Sequence, residues 1–129
     1  MLKGVDHNLV PELLKALAEM GHGDVLALVD RNFPAYSCGQ RVIEAPGSGI
    51  IEMLRAVLSV MPIDQFTSPA VVHMLTDDGS ESPATAEARE IWEAAEGRGV
   101  AAAGVDRRTQ FYDLARDAYV TVRTGEVLP

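Results

Sequence analysis

The 129 residues predict an α/β domain, a three-layer sandwich with helices on both faces of a mostly parallel central sheet. Three observations carry that expectation. Amphipathic stretches at helical spacing alternate with short apolar runs of strand length. Gly, Pro or Asp punctuates most of the junctions between them. No internal repeat or low-complexity linker divides the chain, and an apolar fraction of 47% is enough for one core, so residues 1–129 read as a single domain.

The elements follow in order. Residues 11–20, PELLKALAEM, set Leu13, Leu14, Leu17 and Met20 on one helical stripe. Pro11 suits the first turn and Gly21 stops the helix. Val10 is a poor capping residue, so Asn8 is the better start. Residues 25–29, VLALV, bounded by GHGD and Asp30, read as a buried strand. A loop containing NFPAYSCG leads to a brief strand from Arg41 to Glu44. PGSG at 46–49 turns the chain into a helix over 50–60, with Ile50, Ile51, Leu54, Val57 and Leu58 facing inward and Pro62 just beyond. A strand over 70–75, AVVHML, follows Pro69. Ser82 caps a helix that begins at Pro83, runs to Glu96 and is ended by Gly97 and Gly99. VAAAGV at 100–105 reads as a buried strand of small residues. A last helix, 109–117, turns Phe111, Leu114 and Ala115 inward, and YVTVRTG at 119–125 alternates like a strand.

Composition excludes several classes. The net charge of −8 repels phosphate backbones and anionic lipid, so neither nucleic acid nor a membrane surface is an expected partner. No apolar run approaches the ~20 residues of a membrane span. The opening MLKGVDHNLV lacks the apolar core of a signal peptide. One cysteine, Cys38, permits no intrachain disulfide and fits a reducing compartment, so a cytoplasmic protein is expected. No Cys/His cluster has metal-ligand spacing, which rules out a structural zinc. No serine sits in a GxSxG elbow. Gly47-Ser48-Gly49 precedes a helix and hints at anion binding, but it lacks the third glycine of a dinucleotide fingerprint.

Few residues remain that could carry chemistry. His22 lies between two glycines, where nothing bulky shields the ring, and an imidazole can both donate and accept a proton near neutrality. From its sequence context alone it reads first as a surface-turn histidine. His73 sits inside an apolar run and reads as a structural histidine with a satisfied hydrogen bond; His7 is solvated. Asp30 ends VLALVD at the carboxyl end of a strand, where parallel sheets collect ligands. It could hold sugar hydroxyls or cap the next loop through an Asx turn. Arg107 and Arg108 follow another strand, and either could reach the same edge or remain a surface charge. The acidic residues over 83–96 read as a solvated face.

Longer motifs add a resemblance. MLKG, then PELLKALAEMGHGD, then Val29-Asp30 with Phe33-Pro34-Ala35, and later Arg108-Thr109-Gln110-Phe111-Tyr112 and Val122-Arg123-Thr124-Gly125-Glu126, resemble the L-fucose mutarotase and D-ribose pyranase (RbsD/FucU) family over most of the chain. The resemblance implies an RbsD-like fold and a cofactor-independent isomerase of monosaccharides. It implies His22 as proton donor, Asp30 as sugar-binding carboxylate, and Arg108 at a position that is arginine in the fucose branch and histidine in the ribose branch. It also implies ring-based homodecamers. Ring opening and reclosure of L-fucose is the leading expectation. A ribose-type pyranase, a non-catalytic sugar-binding accessory protein and, least favoured, a phosphate-binding module using PGSG are the alternatives. The family's Tyr-Gly-Asn element, which follows Thr-Gly-Glu and completes a neighbouring subunit's site, is absent from these 129 residues. His22 and Asp30 are eight residues apart with a strand between them, roughly 26 Å if fully extended. They can serve one sugar only if the segment bends or adjacent subunits contribute one residue each.

Overall fold

A computed structural model describes residues 1–127, leaving Leu128 and Pro129 outside. The chain runs α1 (Pro11–Glu19), β1 (Leu26–Val29), α2 (Ala35–Cys38), β2 (Val42–Ala45), α3 (Ile50–Leu58), β3 (Val71–Met74), α4 (Pro83–Glu96), β4 (Ala102–Val105), a π-type turn (Arg107–Phe111), α5 (Tyr112–Asp117) and β5 (Val120–Thr124). The α/β class and the parallel pairing agree with the sequence reading. β5 lies between β1 and β2, parallel to both, with Leu28 and Ile43 flanking Val122.

Alternation along β1 builds the three layers, because successive strand residues face opposite sides. Leu26 and Leu28 join a core with Leu13 of α1, Met53 and Val57 of α3, and Val122. Ala27 and Val29 join a second core with Phe33, Ala35 and Cys38 on one side and Ala115 and Ala118 on the other. The three-stranded sheet is therefore covered by α1 and α3 on one face and by α2 and α5 on the other.

The sheet is not continuous. β3 and β4 pair with each other, parallel, as a separate two-stranded piece. Four of the five residues of β5 are buried, so both its edges are taken up, whereas β3 is half-buried throughout. β4 offers mostly Ala and Gly, and Leu75 fills the space beside Gly104: a Cβ there would lie 2.5 Å from Leu75 Cδ2. A strand with so little side chain does not supply a fully buried central position, and the run expected to be buried is only partly so.

Other local expectations shift for identifiable reasons. Helix α1 begins at Pro11 with Val10 as an uncapped start, and Asn8 instead donates its N–H to Asp6 Oδ1 at 2.8 Å. The NFPAYSCG loop contains the short helix α2, closed by Cys38 N–H to Pro34 C=O at 3.0 Å. Helix α3 buries Met53, Ala56 and Val57, while Ile50, Ile51, Leu54 and Leu58 are only half-buried, a rotation of the inner face. Ahead of α5, the Asp106 carboxylate accepts the Arg108 N–H at 2.7 Å and Gln110 Oε1 accepts the Asp106 N–H at 2.9 Å. These bonds open the first turn, so Phe111 N–H reaches back five residues to Asp106 C=O at 2.9 Å. The wider turn leaves Leu114 exposed and only Ala115 of α5 fully buried. Ser82 caps α4 as expected, accepting the Thr85 N–H at 3.2 Å.

Candidate functional site

His22 stands in the turn between α1 and β1, at the amino end of the strand. The turn is closed by Gly21 N–H to Asp24 Oδ2 at 2.8 Å, and Gly23 has φ of 87°, a left-handed conformation that a Cβ would strain. This backbone directs the imidazole outward, with 80% of its side chain exposed, and Nδ1 lies 3.0 Å from Asp64 Oδ2. The same oxygen accepts the Gly23 N–H at 3.2 Å, and Asp64 Oδ1 accepts the Phe66 N–H at 3.0 Å. The Phe66 N–H, and next the His22 ring, hold the Asp64 carboxyl below its ordinary range. The exposed Phe66 ring meets the imidazole edge-on with centroids 5.2 Å apart. His22 is thus a surface-turn residue that is also anchored by a carboxylate.

Asp30 stands at the opposite, carboxyl end of β1. Its Oδ1 accepts the Asn32 N–H at 2.7 Å, the Asx turn that the sequence left open as an alternative. The strand ends around it are tied together. Thr124 Oγ1 donates to Val29 C=O at 2.8 Å, and Arg31 N–H donates to Glu126 C=O at 2.9 Å. Arg123 Nε and Nη2 donate to Arg31 C=O at 3.1 and 3.0 Å, and its Nη1 reaches both Glu44 carboxylate oxygens at 3.2 Å. A cavity of about 260 Å³ opens here, lined by Arg31, Glu44, Pro46, Arg123, Thr124 and Gly125.

Arg108 follows β4 and is exposed. Among the described residues its guanidinium has no hydrogen-bond partner, whereas Arg107 is engaged by Asp77 at 2.9 Å. Phe33 packs edge-on against Phe111 and Tyr112, with centroids 5.8 and 5.0 Å apart. Phe33 is three residues past Asp30 and Phe111 three past Arg108, so this aromatic contact joins the two segments. The structure therefore gathers the Asp30 and Arg108 segments and leaves His22 at the other end of β1.

Sequence reasoning missed Asp64, Arg123 and Glu44. Arg123 could have been nominated by the rule that picked Asp30, since it too lies at the carboxyl end of a parallel strand. Asp64 gives no local signal, because its contact with His22 spans 42 residues of chain. His73 is mostly buried and stacks on Trp92, but its Nδ1 has no partner and Nε2 is 4.0 Å from Glu81, so its hydrogen bonding is incomplete. At PGSG, Ser48 is buried and bonded to Ala45 C=O, and a Cβ on Gly49 would lie 3.1 Å from Glu126 Oε2. A carboxylate already occupies the start of α3, which opposes a phosphate there.

Comparison with known proteins matches residues 3–129 to the RbsD / FucU transport protein family. The chain is 44% identical over 133 aligned positions to the human protein named fucose mutarotase, covering 97% of this chain and 85% of that one. It is 39% identical to L-fucose mutarotase of Actinobacillus pleuropneumoniae serotype 5b, covering 98% and 89%. Its fold is similar to the crystal structure of the Streptococcus pneumoniae fucose mutarotase in complex with L-fucose, with a TM-score of 0.90, 34% identity and coverage of 98% and 90%. FucU from Bifidobacterium longum is similar as well, with a TM-score of 0.86, 36% identity and coverage of 98% and 91%.

Proposed function

The chain belongs to the RbsD/FucU family, and from that membership we propose that it interconverts the α and β anomers of L-fucose or a closely related monosaccharide without a cofactor. The observation that carries the reading is an exposed imidazole, His22, anchored by Asp64 in a chain similar over nearly its whole length to proteins named fucose mutarotase. Interconversion requires a base to remove the anomeric hydroxyl proton while an acid protonates the ring oxygen and the bond from that oxygen to C1 breaks. The open aldehyde turns about C1–C2 and closes on its other face with both protons returned. General acid–base help of this kind contributes about 10²- to 10⁴-fold. His22 is the acid, and Asp30 and Arg108 grip hydroxyls and orient the ring. The base is Asp30 or a water held beside it.

The four residues of β1 lie between His22 and Asp30 and alone contribute about 13 Å of strand at ~3.3 Å each. One pyranose ring does not bridge that distance, so the reading includes a homo-oligomer, a decamer by family resemblance, in which His22 of one copy faces Asp30 and Arg108 of the next. A cytoplasmic location belongs to the same reading, supported by a lone buried thiol, Cys38. Among the described residues, no helix is long and apolar enough to cross a membrane.

Exchange NMR on L-fucose, D-galactose and D-ribose tests the proposal. Wild type is expected to accelerate anomer exchange of L-fucose most, and His22→Ala to abolish the effect. Preferential exchange of ribose between pyranose and furanose forms would move the assignment to the ribose branch. Binding without acceleration would leave a sugar-binding protein and refute catalysis.

A further inference from the structure

We propose that Phe66 is the apolar platform of the sugar site, a ring on which the C–H face of the pyranose rests beside His22, and that it selects for 6-deoxy sugars. The inference rests on the mutarotase reading and adds the side chain that holds the part of the sugar the reaction leaves unchanged. An exposed apolar side chain on its own means little; the setting of this one is what singles it out. Phe66 is 88% exposed, yet its loop is pinned. Ile63 is buried and donates its N–H to Glu96 Oε1 of α4 at 2.7 Å, and the Phe66 N–H is donated to Asp64 Oδ1 at 3.0 Å. The phenyl ring then meets the His22 imidazole at 89°, with centroids 5.2 Å apart. Two rings at right angles make a corner with one wall that can pass a proton and one wall that is apolar.

L-Fucopyranose fits that corner. Its axial 4-hydroxyl lies on one face, and the opposite face presents C3–H, C4–H and C5–H with the C6 methyl at the edge. The ring oxygen is bonded to C5. A sugar whose ring oxygen meets the imidazole therefore brings C4, C5 and the methyl toward the adjoining phenyl ring. Opening and reclosure break and remake only the bond between the ring oxygen and C1, so C3 to C6 keep their configuration throughout. A platform under those atoms binds both anomers and the transition state alike, which lowers KM and leaves kcat as it is. Asp30 and Arg108 of the next copy then reach the hydroxyls from the other side, and that copy closes over Val25 and the rim of Phe66. The methyl is the group that gains most from an apolar wall, since it has no hydroxyl to keep in water.

The test uses two sugars that differ by that methyl, L-fucose and D-arabinose, which share the configuration at C2, C3 and C4. Exchange NMR gives KM and kcat for each, with light scattering at the assay concentration to follow assembly. Wild type is expected to prefer L-fucose by about fourfold in kcat/KM, the worth of one buried methyl. Phe66→Ala is expected to raise KM for L-fucose by about 10-fold with little change in kcat and to erase the preference between the two sugars. Phe66→Tyr, which keeps the ring, is expected to restore both. Saturation transferred from aromatic protons of wild type is expected to reach the methyl, H4 and H5 of L-fucose more than H1, and to fade in Phe66→Leu. An unchanged KM in Phe66→Ala, a defect confined to kcat, or an unaltered preference for L-fucose would each overturn the proposal. A smaller assembly with unchanged KM would overturn it too, by making the ring a contact between copies only. Absence of acceleration by wild type would instead strike the mutarotase reading itself, and the saturation pattern would still decide whether the sugar rests on Phe66.

Discussion

Thr121 and Thr124 occupy the same central strand, are each 1% exposed, and are predicted to respond oppositely to replacement by Val. Thr124 Oγ1 donates to Val29 C=O at 2.8 Å and accepts the Glu126 N–H at 3.2 Å. Thr121 Oγ1 is buried with no hydrogen-bond partner. A net hydrogen bond is worth about 0.5–1.5 kcal/mol, and a buried group left unpaired costs about 1–3 kcal/mol. Thr124→Val loses its own bonds and leaves the Glu126 N–H without an acceptor, so a destabilisation of about 1–3 kcal/mol follows. Thr121→Val removes a hydroxyl whose desolvation nothing offsets, so it is neutral or stabilises by up to about 1 kcal/mol. For a chain of this size each kcal/mol moves Tm by about 3–5 °C, so the Tm of Thr124→Val is expected to fall by about 3–15 °C. Thr121→Val is expected to stay level or rise. Thermal unfolding at one fixed protein concentration reads both, since association shifts the transition. Because the Thr124 bond secures the end of β1 just before Asp30, Thr124→Val is also expected to raise KM for the sugar. Equal losses at both positions would refute the argument, for they would show that side-chain volume, not hydrogen bonding, decides these sites.

Three further outcomes are expected. Arg123→Met removes both donors to Arg31 C=O and the partner of Glu44, loosening the turn that presents Asp30; at about 1 kcal/mol this raises KM for L-fucose roughly fivefold with a smaller effect on kcat, as steady-state exchange rates would show. Gly23→Ala forces a Cβ into a left-handed turn at φ 87°, costing about 1–2 kcal/mol in denaturant unfolding and displacing His22, so exchange activity falls further than stability. Asp78, hydrogen-bonded by Ser80 and Thr76, is lowered from 3.8 to about 2, so its ordering of the loop is fully present above pH 3.8 and is lost as pH falls through about 2. A side-chain NMR titration reads that midpoint, and Thr76→Val moves it upward.

Local chemistry made much of the fold legible. Ser82 followed by Pro83 fixed the start of α4, and Gly97, with φ of 70°, ended it where a left-handed residue was needed. The alternation of Val120, Val122 and Thr124 with their neighbours marked β5, although burial on both sides placed it in the middle of its sheet, which periodicity alone does not reveal. Expectations failed where tertiary packing chose between comparable apolar faces. In α3, Met53 and Ala56 won over Ile50 and Leu54 because the inner positions meet Leu13 and Val122 at close quarters, and small or flexible side chains fit there. In the candidate site the same division holds. Residues singled out by a glycine turn or a strand end, His22 and Asp30, could be named from the sequence. Asp64 could not, since the three donors that define it come from two loops brought together only by folding.

The placement of His22 and Asp30 at opposite ends of β1 leads to a test of the composite site. Bending β1 to bring them together would pull Leu26 and Leu28 out of one core and Ala27 and Val29 out of the other, so the strand holds them apart. Beside His22, Val25 is 50% exposed and Phe66 88% exposed, apolar surface that a second copy would cover. If each site takes His22 from one copy and Asp30 from another, His22→Ala and Asp30→Ala are separately inactive but complement when mixed. In randomly mixed assemblies a site is intact only when its His22 comes from the Asp30→Ala copy and its Asp30 from the His22→Ala copy, about one site in four. Mixing after reversible dissociation is therefore expected to restore roughly a quarter of wild-type exchange activity. If one chain supplied both residues, every site in the mixture would carry a defect and no activity would return.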